Sequence, residues 1–327
     1  MAMSEQTVTA IKSYQNQAQV LVKNYIIADP FIPYTSILAG LLACKVVYDL
    51  TQLISTFYFK AYNGLTKIQR MEWNNRGIST VHAIFITALS LYYVFWSDLF
   101  SDQQHTGPIT FRSSWLSNFG LGVSVGYFLA DLGMIFWLYP SLGGMEYVVH
   151  HSLSGIAVAY SMFSGEGQLY TYMVLISEVT TPEINMRWYL DTAGMKRSTT
   201  YLVNGVIIFF AWLIARILLF VYMFYHVYLH YDQFASFKPL VASSLSTYPS
   251  TSVVNLSFSS FLFLGLTFYS SFSDLVNVTA EEETEVVEMH AIGYLLVFVV
   301  PFVLAIMNVM WFGKILKGLK KTLAKRQ

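Results

Sequence analysis

Seven times along this chain an apolar run of roughly 14 to 25 residues stands between polar segments. A bilayer's hydrocarbon core is about 30 Å thick, and a helix needs about 20 apolar residues to cross it. Inside lipid every backbone N–H and C=O must be satisfied by the protein itself, which admits helices and closed barrels alone. Runs this long specify helices. They cover Ile37 to Phe59, Ile78 to Trp96, Gly120 to Tyr139, Met145 to Phe163, Gln168 to Thr181, Tyr201 to Tyr225 and Ala291 to Phe312. The fifth is short, and Pro182 ends or kinks it. The sequence predicts an all-α fold, a polytopic membrane helical bundle of about seven transmembrane helices.

Residue types agree with that reading. Hydrophobic residues make up 55% of the chain and charged ones 12%, against about 25% charged in soluble domains. Basic residues cluster in the loop after the first span (Lys60, Lys67, Arg70, Arg76), after the fifth (Arg187, Lys196, Arg197) and in the tail from Lys314 to Arg326. The connection after the sixth is acidic, with Glu281, Glu282, Glu283, Glu285 and Glu288. The excess of Lys and Arg on cytoplasmic loops sets orientation. Seven spans then put the N-terminus in the lumen and the C-terminus in the cytoplasm. The lumenal connection holds two glycosylation candidates, Asn255 and Asn277. The serine-rich stretch from Val253 to Phe272 reads as a lumenal lid or interfacial segment rather than an eighth span, which would carry the basic tail into the lumen.

The expected organisation is a lumenal N-terminal segment 1–34, a transmembrane core 35–230 and a lumenal insertion 231–290. The last span, 291–312, and a basic tail, 313–327, complete it. Residues Met1 to Pro30 carry no basic-then-apolar signal, so the first run reads as a retained span. Net charge is zero, which leaves no electrostatic case for nucleic acid. The single cysteine, Cys44, has no partner for an internal disulfide.

Ionisable side chains at bilayer depth are costly, and they are functional suspects for that reason. His150 and His151 are adjacent within the fourth run. They stand about 100° apart on a helix, so they point different ways. Tyr147 lies one turn before His151, and Ser154 one turn after His150. Asp131 sits mid-way along the third run, where a lone carboxylate is unfavourable, and a histidine is its natural partner. His82 lies four residues into the second run. Glu178 precedes Pro182 by one turn, and Asn185 and Arg187 follow at the membrane edge. Arg216 lies mid-way along the sixth run and needs a carboxylate, with Glu178 and Asp131 as candidates. Adjacent histidines do not chelate from one helix face, and His226 and His230 sit among interfacial tyrosines, so no metal site is expected. Gly122 and Gly126 form a small-xxx-small pair suited to close helix packing.

An ordered set of segments resembles the TLC-domain family, the membrane domain shared by ceramide synthases and several lipid-homeostasis and trafficking proteins. The segments are Trp73-Asn74-Asn75-Arg76 leading to Ser79-Thr80-Val81-His82, Asp131-Leu132-Gly133-Met134, Val149-His150-His151 and Ser177 to Trp188. Asp191 to Met195, Asn204-Gly205 with Ala215-Arg216-Ile217, and Asn308 to Phe312 continue the set. It is most similar to the four-like group of TLC-domain-containing proteins. Ceramide synthases are understood to use the paired histidines in N-acylation with acyl-CoA, together with a His-Asp…Asp cluster at the next span. Here that region reads Ser177-Glu178-Val179-Thr180-Thr181, with one carboxylate and no His-Asp pair.

The resemblance implies a multi-pass protein of the endoplasmic reticulum or another endomembrane. Its expected role is binding a lipid or acyl chain in a polar cavity lined by His82, Asp131, His150, His151 and Glu178, in lipid homeostasis or trafficking. The alternative is an acyl-CoA-dependent N-acyltransferase using His150 and His151. No cofactor is expected, and acyl-CoA is a substrate only under the alternative. Membrane lipids are the expected partners, a homo-oligomer stays open, and no soluble partner follows from the residues.

Overall fold

The computed structural model describes residues 30–101, 108–231, 234 and 289–324. Residues 1–29 of the N-terminal segment, both glycosylation candidates and the stretch from Val253 to Phe272 lie outside them, and residues 32–34 of that segment belong to the first helix. Two units divide the chain: residues 1–233 with 289–327, and residues 234–288. All elements below belong to the first unit.

Helix α1 spans Ile32–Tyr58, with proline in its first turn, where a missing N–H costs nothing. Helix α2, Lys67–Trp96, starts well upstream of its apolar run. Thr66 and Gln69 close a reciprocal capping box there, so a polar turn can begin the helix outside the hydrophobic segment. Helix α3, Trp115–Trp137, opens on a similar exchange between Ser114 and Ser117. Helix α4, Met145–Ser164, stops at Gly165, whose φ of +75° is the left-handed cap that glycine adopts without steric cost.

The fifth apolar run departs from a simple span. Helix α5, Gln168–Leu175, tightens into a 3-10 segment over Ile176–Thr180 and resumes as α6, Thr181–Thr192. The break expected at Pro182 falls before it, in the 3-10 segment, and Pro182 itself sits in the first turn of α6. Helix α7, Thr199–Leu229, and helix α8, Ala291–Ala324, complete the bundle. Each contains a π-helical insertion, Leu213–Leu218 and Leu295–Val299.

Among the described residues five helices, α1, α2, α3, α7 and α8, are long and apolar enough to cross a membrane. The fourth and fifth runs form helices of the same bundle but fall short of that standard. Glu146, His150 and His151 dilute α4, and the 3-10 break with Glu178, Glu183 and Arg187 interrupts α5–α6. No strand occurs among the described residues.

Helices α1 and α3 pack along glycines. A Cβ at Gly40 would collide with the Val123 backbone, one at Gly126 with the backbone of Ile37 and Leu41, and one at Gly122 with the Ser36 side chain. Close backbone approach of this kind is how helices associate where no water drives them together. Gly126→Leu is expected to cost about 1–3 kcal/mol through overpacking. It should lower the thermal midpoint of the detergent-solubilised protein, while Gly133→Leu, whose Cβ meets nothing within 4 Å, leaves it unchanged.

Helix α2 packs against α1, α3 and α6, and α8 against α7 and α4. Near the start of α2, Trp73, Tyr62 and Leu65 form a buried aromatic cluster with Trp188 and Tyr189 of α6.

Candidate functional site

Asp131 of α3 and His151 of α4 meet inside the bundle, with His151 Nδ1 2.9 Å from Asp131 Oδ2. The approach is short but not aligned as a straight N–H···O bond. Asn75 of α2 donates from Nδ2 to the other oxygen, Asp131 Oδ1, at 2.7 Å. The carboxylate is thus held from two sides by two helices. Side-chain exposure is 17% for His151 and 6% for Asp131, so the imidazole is the more accessible of the two.

His150 points away from this pair. Its ring packs edge-on to His151 and to Trp311 of α8, at 5.4 and 5.3 Å between centroids. Its Nδ1 is buried and has no hydrogen-bond partner among the described residues.

Arg216 rides on the π-helical insertion of α7 and reaches the 3-10 segment and α8. Its Nε donates to Thr180 Oγ1 at 2.7 Å, Nη1 stands 3.5 Å from Asn308 Oδ1, and Nη2 lies 3.5 Å from Glu178 Oε1. The guanidinium also covers the Trp212 ring at 4.7 Å. Thr181 donates to the second oxygen of Glu178 at 2.7 Å. π insertions rotate the residues beyond them and recur at functional sites.

Most of these groups line one cavity of about 470 Å³, within the range of about 300–1,000 Å³ common to ligand pockets. Asp131, His150, His151, Glu178 and Arg216 form its polar interior, with Phe128, Ile208, Trp212 and Trp311 as apolar wall. Arg76, Arg187, Trp188, Tyr201 and Lys314 line the end where α2 and α7 begin and α6 and α8 finish. A second, narrower crevice of about 50 Å³ runs on between α4, α5, α7 and α8. His150, Glu178 and Arg216 line both spaces, so they stand at the junction.

The remaining predicted residues divide. His82 is buried but does not line the large cavity. It stacks on Tyr127 at 3.8 Å, and its Nε2 lies 3.1 Å from Ser124 Oγ, behind the wall that Tyr127 forms. Ser154 lines the narrow crevice. Tyr147 lies at the large cavity against Trp311, not against His151. Arg187 covers the Tyr201 ring at 3.9 Å and donates to its carbonyl at 3.2 Å.

Asn185 fastens α6 to α2. Its Nδ2 donates to Ser79 Oγ at 2.7 Å, Thr80 Oγ1 at 2.9 Å and the Arg76 carbonyl at 3.1 Å, and its Oδ1 accepts from Arg76 Nη1 at 3.0 Å. Asn185→Leu is expected to cost about 1–3 kcal/mol through the groups it orphans. Thermal unfolding of the detergent-solubilised variant checks this, with an unchanged midpoint counting against the contact.

Sequence reasoning did not single out Asn75, Arg76, Asn308 and Trp311 as site residues. All four lie in segments that carry the family resemblance, and Asn308 had a physical signal as well, a polar side chain inside the last apolar run. Among the described residues no group of three His, Cys, Asp or Glu is placed to hold a metal ion.

The arrangement of paired imidazoles, buried carboxylate and polar α5–α6 break falls within residues 72–317, which match the TLC domain. The chain belongs to the TLC-domain family. Relatives of this TLC-domain protein include TLC domain-containing protein 4-B of Xenopus laevis, 29% identical over 50% of this chain and 61% of its own length. TLC domain-containing protein 4 of Homo sapiens is 27% identical over 49% of this chain and 64% of its own length. The chain therefore spans less than two thirds of either relative. No solved structure matches it.

Proposed function

We propose that this TLC-domain protein holds a membrane lipid in the large cavity, with a polar group of the lipid at the His151–Asp131 pair and a chain along the apolar wall. The observation that carries this reading is the cavity itself, which joins a buried carboxylate–imidazole pair to aromatic and aliphatic surface in one space. Its basic end faces the cytoplasm in this proposal, and the protein acts in lipid homeostasis or trafficking in the endoplasmic reticulum or another endomembrane. Purification in native lipid followed by mass spectrometry tests it. One lipid class should be enriched over the bulk membrane, and Ile184→Trp, which fills the cavity from α6, should remove it at unchanged thermal midpoint. A lipid profile equal to bulk overturns the reading.

Orientation has its own test. With the insertion in the lumen, Asn255 and Asn277 carry glycans, and glycosidase treatment should increase mobility on a gel. Treatment that shifts nothing counts against a lumenal insertion.

A second reading is supported by the His151–Asp131 contact, since a carboxylate beside an imidazole can orient it as a general base. Under it the protein transfers an acyl group from acyl-CoA to an amine. Incubation of pure protein with a sphingoid base and acyl-CoA decides this, and turnover that survives both His150→Ala and His151→Ala overturns the mechanism.

A further inference from the structure

Helix α1 carries a charged pair in the wrong place for a lipid-facing surface. Lys45 is the central residue of Ile32–Tyr58 and lies eight positions inside the apolar run that starts at Ile37, or about 12 Å at 1.5 Å per residue. That depth is beyond what a lysine stem spans by snorkelling. Lys45 Nζ donates to Asp49 Oδ2 at 2.5 Å, one turn away, with side-chain exposures of 71% and 55%. Gln52 and Thr56 are exposed on the same face. At about 100° per residue, positions 45, 49, 52 and 56 fall within an arc of about 60°. The face that packs on α3, with Ser36 and Gly40, lies opposite.

The pair neutralises its own net charge but not its hydrogen-bonding capacity. An ammonium has three donors and a carboxylate about four acceptor sites. Among the described residues Lys45 and Asp49 meet only each other. Hydrocarbon offers nothing for the remainder, and charged groups at bilayer depth face protein or a wet cavity.

We infer that this face of α1 is the contact through which two copies of the chain associate in the membrane. The stripe is complementary to itself. A two-fold axis along the membrane normal sets two such helices side by side at equal depth. Lys45 of each copy then stands level with Lys45 of the other and reaches diagonally, about 6 Å along the axis, to the other's Asp49, the reciprocity that an isologous interface needs. A stripe of one charge sign would call for a different partner. Exposed Leu38, Leu42 and Leu53 flank the polar residues and supply apolar contact. This goes beyond lipid binding and does not depend on it.

Differently tagged copies, co-expressed and extracted in native lipid, test the inference. Wild-type copies should co-purify. Lys45→Asp alone and Asp49→Lys alone should each lower self-association at least tenfold, by setting like charges against each other. Mixing the two single variants, or combining both substitutions in one chain, should restore it. A second measurement leaves the charges intact: in a Cys44→Ala background, Gln52→Cys should cross-link between copies and Val81→Cys, exposed on α2, should not. Single-charge variants that associate like wild type overturn the inference. So does cross-linking that is absent at Gln52→Cys or equal at both positions, which would mean that another chain or another segment of this one covers the stripe.

Discussion

Replacing Arg216 with methionine is expected to cost about 3–5 kcal/mol, because it leaves a carboxylate without its cation in the interior. Total stability of a folded domain is about 5–15 kcal/mol, so much of the variant should aggregate on extraction. The guanidinium is buried and joins α7 to the 3-10 segment through Thr180 and Glu178 and to α8 through Asn308. Trp212, which the guanidinium covers, donates from its indole to the Asn308 carbonyl at 3.0 Å. Lysine should not substitute, since an ammonium cannot reach three acceptors in a planar fork while covering a ring. The double variant Arg216→Met with Glu178→Leu should recover much of the loss, because an apolar pair of similar volume replaces an ion pair at little cost. Size-exclusion profile and thermal midpoint in detergent are the readouts. A double variant no more stable than the single would show that charge pairing is not what Arg216 contributes.

Asp131→Leu should have the next largest effect. It takes the acceptor from Asn75 Nδ2 and the carboxylate from His151 at once. The orphaned Asn75 amide costs about 1–3 kcal/mol, and His151 loses the charge beside its Nδ1. Asp131→Asn keeps the shape and one acceptor oxygen, which serves Asn75 or His151 but not both. Stability and retained lipid should therefore fall in the order wild type, Asp131→Asn, Asp131→Leu. Thermal unfolding and lipid mass spectrometry on the same preparations check the order. A Leu variant that keeps both its midpoint and its lipid would remove the pair from the site.

The helices and the site were legible to different degrees for one physical reason. An apolar run reports length, and length against a 30 Å hydrocarbon core specifies a helix without reference to any other part of the chain. It does not report rotation. In lipid the outer face of a helix is as apolar as the packed face, so the amphipathic stripe that orients a soluble helix is missing. His82 and His151 looked alike in sequence as imidazoles in apolar surroundings. One is stacked behind Tyr127 and the other faces the cavity because of how α2 and α4 are turned. Pro182 likewise reads as a helix breaker until the 3-10 segment before it supplies the turn that lets it begin α6.

By itself, then, the sequence determined that this chain is an all-α membrane protein of the TLC-domain family, because run length and ordered motifs are local properties. Tertiary structure alone decided that Asp131 meets His151 and Asn75, that Arg216 gathers Thr180, Glu178 and Asn308, and that Asp131, His151, Glu178 and Arg216 share a cavity of about 470 Å³. Those contacts bring together helices far apart in the chain, and helix rotation and depth, which lipid leaves unmarked in the residue pattern, determine which side chains converge.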